Sequence, residues 1–446
     1  MGYDSVMAHP ERADQGAWAL LVLGLGIWLA SVLWRVIPFI PTSPGDFEHY
    51  YRGAAAWRAG ESLFSRPELD YPPLLPLLVA PFAGSTLAEA RWWWLLVSTA
   101  AVVLGAIGIW RAAGGGRRAA IVLSLVLLID GTTAPNLGLG QANVLVFALL
   151  SWSLAWSTTR PRTAGALIGL AGALKIWPLM LLGAWLLPFF ASRHTRTSRS
   201  TASDLQARAP SSRTRLAVLG WGLGVAAAGT LLPWALLRLG TPAPHWPTSG
   251  PYWLGTPASL NFSVPATALR ASYNWRDDGT IPPDWRAGVS AGFQLSPSRR
   301  WIAVVSSLLC LAVGGGALAW ATRQRSAGLS PTDLLPAFVA LALVAAPIAW
   351  YHYQIFQLPG LALLGTRAIG DKRWGTMAAT AVLTLALTRH SVWEAGLGAL
   401  HLSSSRAAFA LGLCAASASC LWFAVLVAAL VGVGRGRPPQ APQALR

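Results

Sequence analysis

Residues 163–190 read TAGALIGLAGALKIWPLMLLGAWLLPFF, an apolar run interrupted by one charge, Lys175, with Pro178 close behind it. Basic residues flank it on both sides, Arg160 and Arg162 before it and Arg193, Arg196 and Arg199 after it. Apolar stretches of about 20 residues are the mark of membrane-spanning helices. Arg and Lys gather on the cytoplasmic side of such helices, so a single pass would strand one basic flank outside. Two short helices that enter and return satisfy both flanks. The break falls at Lys175–Pro178, because proline cannot continue the helical hydrogen-bond ladder, and the tip carrying Lys175 points outward. Broken backbone at membrane depth is tolerated only where it is buried in protein or lines a cavity.

The same pattern extends along the chain. Further apolar runs cover 17–38, 88–110, 118–131, 139–157, 215–239, 300–321, 330–348, 353–366, 374–390 and 405–433. Only 11% of the 446 residues are charged, against roughly 25% in an ordinary soluble domain, which excludes a soluble multidomain protein. The sequence predicts an all-α polytopic membrane protein with about 11–12 transmembrane or re-entrant helices. Its net charge of +17 is spread over short segments between the runs. That makes it a topology signal and not a nucleic-acid-binding face; the bilayer's anionic headgroups are a sufficient partner. Cys310, Cys414 and Cys420 lie within apolar runs and form neither a disulfide framework nor a metal spacing.

Six basic clusters set the topology: Arg111 with Arg117 and Arg118; Arg160 with Arg162; Arg193 to Arg215; Arg323 with Arg325; Arg367 with Lys372 and Arg373; and Arg435 with Arg437. All six fall inside when residues 71–82, proline-rich and too short to span, are juxtamembrane or re-entrant on the outer side. Both termini are then cytoplasmic at the cell membrane. The first run has no small-residue cleavage site and reads as a retained helix. Residues 1–433 form one transmembrane domain and 434–446 a cytoplasmic tail. The outer segments are 41–87, 132–138, 240–299, 349–352 and 391–404, while 191–214 is a Ser/Thr/Arg-rich cytoplasmic linker with a disordered composition. There is no internal repeat.

Candidate chemistry then collects on the outer half. Asp46, in Gly45-Asp46-Phe47-Glu48-His49-Tyr50-Tyr51-Arg52, suits a general base toward a hydroxyl; it also suits the N-cap of a helix over 47–59 that stops at Gly60. An amine at Lys175, in an apolar context, costs about 3 kcal/mol to insert and is a functional hypothesis by default. Its natural partner is an anionic lipid phosphate, and the alternative is snorkelling to the interface. His352 follows the break Pro347-Ile348-Ala349-Trp350-Tyr351; it could donate to a phosphate or relay a proton, or simply sit in an aromatic belt. Gln141 and Asn143 open a helix after a break at Pro135–Asn136 and suit sugar binding or helix–helix adhesion. No metal is expected, because the outer loops offer no carboxylate pair to join Asp46 around a divalent ion, and nothing calls for a cofactor.

In their order along the chain these segments resemble glycosyltransferase family 87, among the GT-C membrane glycosyltransferases. The resemblance rests on Asp46-Phe47 with Tyr50-Tyr51, Tyr71-Pro72-Pro73, Gly140-Gln141-x-Asn143, Lys175-x-x-Pro178, Asn261-x-Ser263 and Pro347-x-x-Trp350-x-His352. It implies inverting, metal-independent transfer of a sugar, commonly mannose, from a polyprenyl-phosphate donor to a glycolipid or glycan acceptor. Asp46 matches the proposed base. Lys175 and His352 would hold the donor phosphate, and Tyr71, Gln141, Asn143, Asn261 and Trp350 the sugar or acceptor. Two departures stand out: Phe262 where the family often has Gln, and Tyr353 where it often has a second His. The rival class is a transporter or flippase, which also gathers broken helices and charges at membrane depth but requires a pathway open to both faces.

Overall fold

The computed structural model describes residues 15–42, 45–61, 72–191, 211–238, 263–271, 297–324, 330–346, 349, 351–389, 391, 393, 395 and 404–432. Among these there are helices and no strand. In order they are α1 (Gln15–Val36), α2 (Phe47–Arg58), α3 (Leu74–Val79), α4 (Leu87–Ala112), α5 (Arg117–Ile129), α6 (Thr133–Leu139), α7 (Asn143–Trp156), α8 (Pro161–Leu174) and α9 (Gly183–Ala191). There follow α10 (Ser212–Arg238), α11 (Val264–Ala271), α12 (Pro297–Gln324), α13 (Pro331–Ala345), α14 (Leu358–Gly370), α15 (Trp374–Thr388) and α16 (Ser404–Gly432).

Among the described residues five helical stretches, built on α1, α4, α10, α12 and α16, are long and apolar enough to cross a bilayer; the α5–α6 pair, bent by 60° at its break, makes a sixth if it is one span and is otherwise a re-entrant loop. Their outward faces carry large exposed apolar side chains, such as Leu23 and Ile27 on α1 and Leu308 and Val313 on α12. In water these would be a liability; against lipid tails they are the expected surface.

Small residues let the helices run close together and reveal their directions. A Cβ at Gly165 would stand 2.3 Å from the Val218 carbonyl oxygen, and one at Gly169 2.1 Å from that of Gly222. This is small-xxx-small packing, which lets backbones touch where no hydrophobic effect drives helices together. Further along, Ala173 meets Gly229, so α8 and α10 run parallel. The chain between them must therefore return, through a 3-10 turn over Trp177–Leu182 and α9. This is the enter-and-return hairpin expected for 163–190.

α1 and α5 are likewise parallel, with Gly16 against Arg117 and Gly24 against Ser124, while α14 opposes α5, with Gly365 on Val122 and Gly370 beside Arg118. The basic ends gather in one layer. There Trp18 meets Trp110 at 4.4 Å, Ser157 bonds Thr332 at 2.5 Å, and Arg367 pairs with Asp333 at 2.8 Å. The interruptions gather in the opposite layer: the bend between α5 and α6, the α6–α7 break, the α8 terminus at Lys175, and a 3-10 turn over Tyr351–Gln357 after α13. One expected break moves. Pro135 lies in the first turn of α6, where a missing N–H costs nothing, so the helix runs on and stops at Gly140.

Candidate active site

Asp46 stands at the N-terminal boundary of α2, as the capping pattern predicts, but its carboxylate makes no capping bond. Asp46 Oδ2 instead accepts a hydrogen bond from Gln141 Nε2. The Gln141 Oε1 in turn accepts from the Tyr50 hydroxyl at 3.4 Å. Gln141 is buried in the break between α6 and α7. Two glycines make this junction possible. Gly45, at φ +57°, passes so near Leu139 that a Cβ would lie 2.6 Å from its carbonyl oxygen; Gly140, at φ +67°, leaves no room for a Cβ beside Arg91 and Phe47. Both backbones also take the left-handed region that glycine alone enters freely.

A second group comes from the α8 break and the 3-10 turn. Lys175 ends α8 in extended backbone, is 7% exposed, and donates from Nζ to the Tyr353 hydroxyl at 3.1 Å while lying over that ring. It does not snorkel to the surface. Beside it, His352 is buried with neither ring nitrogen hydrogen-bonded. Its backbone is held: Asn136 Nδ2 donates to the His352 carbonyl at 2.7 Å and to the Thr132 carbonyl at 2.8 Å, and Asn143 Nδ2 donates to Asn136 Oδ1 at 3.0 Å. Asn143 thus braces the site through Asn136, although its own Oδ1 has no partner.

The two groups face one another. Burial raises the Asp46 pKa above the ordinary carboxylate range, and the nearby positive charges of Lys175, His49 and Arg91, with the Gln141 hydrogen bond, pull it part of the way back. A carboxylate so placed is a stronger proton acceptor than one in water, once ionised.

Of the residues expected from sequence, Asp46 with Gln141 and Lys175 with His352 fall in this layer, and Asn143 supports it. Tyr71, Asn261 and Trp350 lie outside the described residues. Ser263, next in the Asn261 segment, is buried and caps α11 by accepting from the Ala266 N–H at 3.2 Å. Four participants went unread in the sequence. Tyr50 entered only as part of the Asp46 segment, and Tyr353 only as a departure from the family pattern. Arg91 is 1% exposed but looked like a flanking cation near a helix start. Asp130 did carry a signal, in Asp130-Gly131-Thr132-Thr133: its carboxylate accepts from both threonine N–H groups and both hydroxyls at 2.6–3.1 Å. Those bonds shape the bend that starts α6.

An all-helical membrane bundle with a half-buried acid and a buried amine and imidazole at its broken end is the class defined by fold and site. The model of glycosyltransferase family 87 matches residues 69–347, well over half of the chain. The protein belongs to glycosyltransferase family 87. The matched span contains Gln141, Asn143 and Lys175 but neither Asp46 nor His352, which join the site through the contacts above. No curated protein matches the sequence significantly.

Among solved structures the chain is similar to the Archaeoglobus fulgidus oligosaccharyltransferase in its apo form, at 14% identity over 95% of this chain and 57% of that one, with a TM-score of 0.39. It is similarly related to the archaeal oligosaccharyltransferase of the same organism in complex with an inhibitory peptide and a dolichol-phosphate, at 15% identity over 95% and 56% of the two chains, with a TM-score of 0.38. The chain therefore spans little more than half the length of either.

Proposed function

We propose that this protein transfers a hexose, most simply mannose, from a polyprenyl-phosphate donor to a hydroxyl of a glycolipid or glycan acceptor on the outer face of the cell membrane. The observation that carries this reading is Lys175, whose charge acts on Asp46 on one side and on His352 on the other, His352 having both ring nitrogens open. The acceptor oxygen attacks the anomeric carbon as Asp46 takes its proton. The bond from that carbon to the phosphate oxygen breaks, the configuration inverts, and the electron pair leaves on the lipid phosphate. Its charge needs preorganised donors, which the Lys175 amine and a His352 N–H supply. Gln141 holds the carboxylate in place, and no step requires a metal. Tyr71, Asn261 and Trp350 are the residues assigned to the sugar or the acceptor.

The outer placement rests on the basic layer, since arginine clusters mark the cytoplasmic side. Incubating the purified protein in detergent with a panel of polyprenyl-phosphate sugars, with acceptor lipids and EDTA, should consume one donor and form a glycosidic product. Movement of an intact donor across vesicles with no new glycosidic bond would point to a flippase instead. Cysteines placed at Asn261 and Ser403 should react with an impermeant thiol reagent on intact cells, and one at Ser200 should not.

A further inference from the structure

The mechanism above leaves unused the most costly side chain in this layer. Arg91, on α4, is 1% exposed, and its Nε and Nη1 have no hydrogen-bond partner among the described residues. A buried guanidinium with two unpaired N–H groups is expensive and persists only where something depends on it. What it touches is specific. Its Nη2 donates to the Gly138 carbonyl, its Nη1 occupies the space a Cβ would take at Gly140, and its guanidinium lies 5.7 Å from the centre of the Phe47 ring. Trp94, almost one turn along α4, stacks on Phe47 and donates to the Gly140 carbonyl at 2.8 Å.

α4 therefore grips both strands of the junction that makes the base. Gly138 and Gly140 lead directly into Gln141, whose amide binds the Asp46 carboxylate. Phe47 follows Asp46 in the chain. We infer that Arg91 is the positioning residue of the catalytic base: it fixes the α6–α7 break so that the Gln141 amide meets Asp46. This rests on Asp46 acting as the base. Arg91 acts through its contacts with Gly138, Gly140 and Phe47 and is assigned no contact with substrate.

The charges that face Asp46 are Lys175 from the α8 break, His49 from its own helix and Arg91 from α4, with Tyr353 close enough to feel its charge. The Arg91 guanidinium keeps its charge across the acidic and neutral range. Its loss should move the acidic limb of the pH–rate profile without abolishing the reaction.

The test compares pH profiles of kcat and donor KM for wild type, Arg91→Gln and Arg91→Lys, with Asp46→Asn alongside. Gln can still donate to Gly138 but carries no charge; Lys keeps the charge but loses the fork. Arg91→Gln should shift the acidic limb upward by about half a pH unit or more, with donor KM unchanged. Arg91→Lys should leave the limb in place and lower the plateau kcat several-fold. A uniform loss at every pH with the limb unmoved in Arg91→Gln would overturn the inference. Should Arg91→Gln not fold, Arg91→Lys decides alone, and a wild-type plateau rate would refute the positioning role. Full activity in Asp46→Asn would instead remove the proposed base, whatever the Arg91 variants do.

Discussion

The two ends of this bundle treat buried polarity in opposite ways. In the basic layer polar groups close on one another: Ser330 and Asp333 form a reciprocal capping box at the start of α13, Arg367 pairs with Asp333, and Ser157 bonds both Thr332 and the Leu154 carbonyl. In the opposite layer they stay open. His352 has two unpaired ring nitrogens, Gln354 has both amide atoms unpaired, and Asn143 and Arg91 are only partly satisfied. Leaving a buried donor or acceptor unpaired costs about 1–3 kcal/mol each. At the basic end the charged groups named above are paired, and an unpaired group there is the lone hydroxyl of Ser151; the opposite end leaves an imidazole, a guanidinium and two amides open, as a ligand that completes the bonding would require. The contrast therefore separates the end that holds the fold from the end that meets substrate.

Substitutions at the two ends should accordingly read out differently. Lys175→Met keeps length and apolar packing but deletes the amine, so donor affinity should weaken by about 1.5–3 kcal/mol, or about 10- to 150-fold, the range for a charge-assisted hydrogen bond. Protein yield should hold, because the change also removes the cost of inserting a charge. Lys175 also lowers the Asp46 pKa, so the comparison should be read from donor binding and donor KM, not from kcat alone. An unchanged apparent donor affinity would dissolve the contrast at its centre. At the other end, Arg367→Met removes a pair whose side chains are 47% and 18% exposed. A partly solvated pair is worth at most about 1 kcal/mol, so thermal stability in detergent should fall slightly and kcat and KM should not move. A large catalytic effect there would mean that the layers are coupled more tightly than the polar contacts imply.

Much of the bundle was legible in the sequence, because lipid imposes a simple rule: apolar runs span and arginines mark ends. The hairpin at 163–190 followed from charge bookkeeping alone, and the parallel course of α8 and α10 agrees with it. Finer features failed where long-range contact overrides local pattern. Pro135 was read as a break, yet in a first turn it is a tolerated residue. Asp46 does sit at the N-cap position that the local pattern marks, yet the partner of its carboxylate is Gln141, 95 positions away, and no local pattern encodes that pairing. Arg91 was invisible for a related reason: near a helix start, a cation looks like an interface anchor until the structure buries it. Asp130 is the exception that could have been found, because an aspartate followed by two threonines two and three positions on is a known turn signature.

The central claim is that Asp46 accepts the acceptor proton, and a comparison of wild type with Asp46→Asn tests it most directly. Asparagine can still accept from Gln141, and no capping bond exists to be lost, so the variant should elute in detergent like wild type. Because burial raises the Asp46 pKa, wild-type turnover should rise with pH along a limb above the usual carboxylate value of about 3.9, as the base loses its proton. In Asp46→Asn turnover should fall by about 10²-fold or more and that limb should vanish. Near-normal transfer by a well-folded Asp46→Asn, with the limb intact, would contradict the account.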